Sequence, residues 1–146
     1  MGDNVVGTLP IVQFGFPGEL RDRLVAAVLT GEKTATTGLL VEWELDGDPV
    51  PRPGERFLVV DSTGVPVAVI EMSEVRVLRL GEVDLAIAQE EGEGFNSVEE
   101  WRLAHEAFWN DYADELRSRL DDSSWKLVDE TPVGVERFRL ISQLDT

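Results

Sequence analysis

The segment Gly31-Glu32-Lys33-Thr34-Ala35-Thr36 holds the residues best suited to chemistry. Lys33 and Thr36 stand three positions apart, just past what reads as a helix, so a turn can aim both at one cavity. A lysine there could anchor an anion or, if desolvated, take up a proton. A threonine hydroxyl could donate, accept or attack as a nucleophile. The plain alternative is a pair of polar loop residues, and a lone G-x-K-x-x-T is a short pattern. It is not a P-loop, because the Gly-x4-Gly-Lys spacing is absent.

Three further clusters could work with that segment. Glu90-Glu91-Gly92-Glu93-Gly94 sets carboxylates among glycines that let a backbone approach a ligand closely. Glu93 could orient Lys33, receive a proton or hold a divalent cation (manganese or magnesium), or it could belong to a solvated acidic loop. His105 lies four residues after Trp101 and four before Trp109, on one helical face. It is the only histidine, and so the only side chain whose ordinary pKa is near neutrality; a core imidazole is the competing explanation. In Glu136-Arg137-Phe138-Arg139 an inward arginine could clamp a carboxylate or phosphate, or form a structural ion pair.

The elements that must position these residues follow from periodicity. Leu20, Leu24, Ala27 and Val28 recur at i, i+4, i+7, i+8, which predicts a helix over 18–30 stopped by Gly31. Lys33 and Thr36 then fall in a loop. Leu39–Leu45 reads as a strand. Arg56–Asp61 and Val65–Glu71 form a hairpin about Ser62-Thr63-Gly64. Glu74–Leu80 alternates charged and apolar residues as a further strand. A short helix spans 82–91. Ser97 with Glu100 is a capping box that opens a helix running to about 120. Val133–Ile141 closes the chain as a strand, with Val135 and Arg137 alternating against Glu136 and Phe138. Residues 1–13 read as a loose arm or an edge strand. Hairpin-linked strands with interspersed helices make an α+β class with a largely antiparallel, curled sheet, fitting a small barrel with helices outside it.

The 146 residues suit one domain with a packed core, at 42% hydrophobic content and four tryptophans. The absence of cysteine excludes disulfides, thiolate zinc sites and a cysteine nucleophile. No apolar run approaches a membrane span, and the start has no secretory pattern, so a cytoplasmic protein is expected. The net charge is −16, which excludes a broad phosphate-binding face and leaves only a local pocket for any nucleotide or RNA. The cations are eleven arginines and two lysines, Lys33 and Lys126, so an amine for chemistry has two candidates.

Taken in order, Phe14-Gly15, Gly31 to Thr36, Trp43-Glu44, Pro53-Gly54-Glu55, Glu91 to Gly94, Ser97 to Trp101 with His105, and Glu136-Arg137-Phe138 resemble the ASCH-domain family of the PUA-like superfamily. The resemblance covers roughly residues 14–141 and is nearest to the longer bacterial branch, with its G-x-K-T-A-T. It implies a small β-barrel flanked by helices and a cleft beside the Lys33–Thr36 segment. It also implies an association with RNA, since some members are ribonucleases and others hydrolyse acetylated cytidine. In the amidohydrolase members the motif lysine and threonine work with a later glutamate. Carried over, these are Lys33, Thr36 and Glu93, with Glu91 as the alternative carboxylate. Those members continue the motif as T-x-R, whereas Thr36 is followed here by Thr37 and Gly38. An arginine anchor must then come from elsewhere, with Arg137 one source.

Three functions remain in play, with RNA cleavage placed ahead of the other two. Lys33 with an acidic or histidine partner could cleave RNA; Thr36, Lys33 and Glu93 could hydrolyse an amide on a modified nucleoside; or the cleft could bind RNA or a nucleoside without turnover. Trp43 or Trp101 would supply the stacking surface.

Overall fold

The computed structural model describes residues 9–144. The leading residues 1–8 of the expected arm lie outside them; Ile11–Val12 (β1) joins the sheet as a parallel edge strand beside Arg56–Val60 (β3). The sheet has five strands in the order β1-β3-β4-β5-β2, where β2 is Ala35–Leu39, β4 is Pro66–Arg79 and β5 is Pro132–Gln143. All pairings but the first are antiparallel. The fold is α+β, as expected, but β1 and β2 remain edges, so the sheet curls without closing into a barrel.

The hairpin between β3 and β4 is held by Asp61, whose Oδ1 accepts from the backbone N–H of Thr63 and Val65. The two strands expected over 65–71 and 74–80 are one long strand. Its register shifts between Met72 and Glu74, leaving Ser73 as a bulge that bends the strand without ending it.

Helix α1 spans Glu19–Thr30, and Gly31 takes the left-handed conformation at φ 84° with its N–H on Val28 O. The segment 39–45 departs from expectation: β2 ends at Leu39 and Leu40–Asp46 is a helix, α2. A pattern over seven residues cannot separate the two periods. Val41 and Leu45, four apart, pack on the core cluster around Trp101, and Gly47 caps the helix at φ 72°. Helix α3 (Leu85–Glu90) is preceded by a 3-10 turn at Leu80–Glu82 and capped by Asp84. The long helix expected over 97–120 is two helices, α4 (Val98–Asn110) and α5 (Ala113–Leu120), broken at Asp111-Tyr112. Ser97 caps α4 through Glu100 N, and Glu100 reaches back to Asn96 N.

Two apolar clusters form the core. One gathers Leu39, Ile87, Trp101, Trp109, Leu116, Val133 and Val135; the other gathers Phe14, Val25, Val28, Ile70, Met72 and Phe138. Strand β5 feeds both, and Glu136 lies on it between Val135 of the first and Phe138 of the second.

Candidate active site

Thr36 is not in a loop but in β2, directly opposite Glu136 of β5. Side chains two apart on a strand share a face. That face therefore runs Gly38 opposite Gly134, then Thr36 opposite Glu136, then Phe138. The Trp43 indole lies across the two glycines: a Cβ on Gly134 would come within 2.8 Å of its ring, and one on Gly38 within 3.1 Å. At the other end Phe14 packs against Phe138, with ring centroids 5.8 Å apart. The Thr36–Glu136 rung thus sits between an indole and a phenyl pair, at the wall of a groove of about 1010 Å³.

Lys33 reaches this groove because the chain is tied on both sides of it. Its backbone N–H returns to Ala27 O, and the N–H of Thr34 bonds Glu90 O at 2.8 Å, docking the start of β2 on the end of α3. Gly92 makes the approach possible. A Cβ there would lie 2.6 Å from Glu32 O and 2.7 Å from the Lys33 Cα, and its φ of +74° suits glycine.

Docking brings the Lys33 ammonium to Glu91, with Nζ donating to the Glu91 carbonyl at 3.1 Å and to Oε1 at 3.3 Å. Both side chains are almost fully buried, at 1% and 2% exposure. The ammonium also sits 5.7 Å from the centre of the Phe14 ring, within cation–π range. On the other carboxylate oxygen, Trp101 Nε1 donates at 2.9 Å and His105 Nε2 lies at 3.3 Å. His105 Nδ1 is 2.9 Å from Trp101 O, and the imidazole stacks on the indole with centroids 4.1 Å apart. Burial alone would raise the Glu91 carboxyl. Lys33, His105 and the Trp101 N–H outweigh it and hold Glu91 down to about 2.

The carboxylate on Lys33 is therefore Glu91 and not Glu93. The glycine at 92 reverses the chain so that only Glu91, at the end of α3, faces inward. Glu93 is half-buried on the groove wall. Glu91, Glu93 and His105 each bring one ligand atom within 4.8 Å of the others. A cation there would have to compete with Lys33 and Trp101, which already donate to the Glu91 carboxylate, so the cluster makes no ready metal site. Trp43 and His105 line the groove, whereas Trp101 and Arg137 do not. Trp101 is fully buried and holds Glu91 in place. Arg137 is paired with Glu90 and Glu74, so its guanidinium is already engaged outside the groove.

Glu136 was not singled out as a site residue by its sequence. It is buried at 6% exposure, lines the groove, and accepts no hydrogen bond among the described residues. Burial, reinforced by Glu91 and only partly offset by Lys33, pushes its carboxyl up to about 7. Its signal was the strand period, which puts an acid in line with Phe138 on an otherwise apolar face.

Eight carboxylates line the groove against four cations, Arg21, Arg23, Lys33 and Arg119. Three of those cations are engaged: Arg21 with Phe14 O and Gly15 O, Lys33 with Glu91, and Arg119 with Asp46.

A family model described as the ASCH domain matches residues 11–142. No curated protein matches this sequence. Among solved structures, a protein of Enterococcus faecalis superposes with a TM-score of 0.78 at 21% identity, covering 92% of this chain and 77% of that one. An ASCH domain of Lactobacillus crispatus superposes with a TM-score of 0.76 at 21% identity, covering 95% and 83%. These likenesses establish the fold.

Proposed function

This chain belongs to the ASCH domain family, a family associated with RNA, and on that premise we propose that its groove binds a nucleoside-class ligand and hydrolyses an acyl amide on it. One observation carries the reading: a buried Lys33–Glu91 pair shares the groove with the Thr36 hydroxyl. Thr36 Oγ1 is the nucleophile that attacks the amide carbonyl. An ammonium has three donors, and two of those on Lys33 go to Glu91. The third is free to stabilise the oxyanion that develops on attack. Glu91 orients Lys33, and Trp101 and His105 fix Glu91 in turn.

The groove's charge favours a nucleoside over an RNA chain. Its walls carry twice as many acids as cations, and the whole chain is at −16, so a phosphate meets repulsion and finds few free cations. The position of the missing T-x-R arginine supports the same reading. It is Gly38, and the space above it is taken by Trp43. A flat base stacked on that indole replaces a charged anchor. The expected setting remains cytoplasmic.

The test is to incubate purified wild type with acetylated cytidine and, separately, with RNA, with and without manganese or magnesium. The expected result is release of cytidine and acetate without added metal, lost in both Lys33→Ala and Thr36→Ala. RNA cleavage with no amide hydrolysis, or binding of acetylated cytidine with no product, contradicts the proposal.

A further inference from the structure

We propose that Glu136 is the general base and acid of this site, taking the Thr36 hydroxyl proton during attack and returning it to the departing amine. The proposal takes its substrate from the amide-hydrolase reading above, and its residue from geometry.

Thr36 needs a proton acceptor, and Lys33 is poorly placed to be one. Its ammonium is held by Glu91 through two hydrogen bonds, and an ion-paired ammonium has no lone pair to offer. The Glu91 carboxylate already accepts from Lys33 and Trp101 and is held well below the usual range, so it is a weak base. Glu136 differs from both. It stands directly across the β2–β5 ladder from Thr36, where facing Cβ atoms are typically about 4.5–5.5 Å apart. Oγ1 makes no direct hydrogen bond to the Glu136 carboxyl, so the proton crosses the rung through one bridging water. It opens onto the same groove and accepts no hydrogen bond among the described residues. Its oxygens have no protein partner among the described residues and stay accessible from the groove, and a carboxyl open to a cleft in this way is a candidate for proton transfer. The charged groups acting on it are Lys33, before β2, and Glu91, at the end of α3. Arg137, the next residue, turns to Glu74 and Glu90 instead. Burial and Glu91 bring Glu136 to about 7, the range a base working near neutrality needs.

The proton account closes. As Oγ1 bonds to the carbonyl carbon, its proton passes to the Glu136 carboxylate. The carbon–nitrogen bond then breaks, and that proton goes to the leaving amine, so Glu136 is ionised again and Thr36 carries an acyl ester. Water attacks the ester and gives a proton to Glu136. Oγ1 leaves with that proton, and the carboxylic acid is released.

The test follows acetylation of Thr36 by p-nitrophenyl acetate, read as intact mass and mapped by peptide, beside turnover of acetylated cytidine. Wild type should acylate Thr36 with a rate that rises through pH about 7, and Glu136→Gln should slow this about 100-fold or more and flatten the profile. Melting curves establish that the variant is folded; should it not fold, the wild-type pH midpoint alone decides. Acylation of Glu136→Gln within about threefold of wild type, a wild-type rate that rises only above pH 9, or no acylation of Thr36 at all overturns the proposal. If acylation behaves as expected but acetylated cytidine is untouched, the substrate reading fails and Glu136 stands. If Glu136→Gln still releases cytidine at the wild-type rate, the reverse holds.

Discussion

Glu91 and Glu136 share one groove, yet their environments move them in opposite directions. Glu136 is raised from 4.5 to about 7, chiefly by burial. Its unfolded form ionises first as pH rises, so the protein loses stability between pH 4.5 and 7, and the full penalty is present above 7. Glu136→Gln removes that penalty and should stabilise the protein at pH 8 by up to roughly 3 kcal/mol, at about 1.4 kcal/mol per unit, with little change at pH 4. Urea denaturation at the two pH values checks this, and a variant less stable than wild type at pH 8 contradicts it. Glu91 has the opposite sign. It is held at about 2, so its contribution is complete above 4.5 and is lost as pH falls through 2. Glu91→Ala strands the Lys33 ammonium in the interior and should cost about 3–5 kcal/mol. Glu93→Ala, on the groove wall, should stay within about 0.5 kcal/mol. Equal losses for the two would mean that Glu91 is not the partner that matters.

At the scale of elements, the site depends on close approaches that only glycine permits. Gly92→Ala forces a Cβ against the Glu32 carbonyl at 2.6 Å and keeps φ at +74°, so it should destabilise by well over about 1 kcal/mol and detach β2 from α3. At Gly94 a Cβ meets nothing within 4 Å, and Gly94→Ala should cost only the left-handed strain of roughly 1–2 kcal/mol. Melting temperatures of the two variants separate contact from conformation. Helix α1, the β3–β4 hairpin and β5 were legible in the sequence because each carries a full period and a turn or cap residue. Helix α2 was not, because Leu40–Asp46 is too short to distinguish alternation from a helical repeat, and its tertiary packing decides the matter. The site was legible in part. Lys33 and Thr36 could be named from residue type and spacing. The choice between Glu91 and Glu93 turned on the chain reversal at Gly92, and Glu136 becomes visible only once β2 and β5 are paired in register.

For the whole molecule, a charge of −16 and a groove dominated by acids set the expected response to salt. Raising salt from 50 to 200 mM should change the KM for acetylated cytidine less than about twofold, since a neutral ligand releases no counterions. A protein held to RNA by six to ten phosphate contacts would lose roughly 10³–10⁵-fold in affinity over that range. No helix among the described residues is long and apolar enough to cross a membrane. The arrangement of the molecule converges on the single rung between β2 and β5. Its central claim is most directly tested by the initial rate of cytidine release from acetylated cytidine by wild type, Thr36→Ser and Thr36→Ala. The account predicts release by wild type, a measurable rate with serine and a loss of about 100-fold or more with alanine. Release by Thr36→Ala at the wild-type rate, or none by wild type, would contradict it.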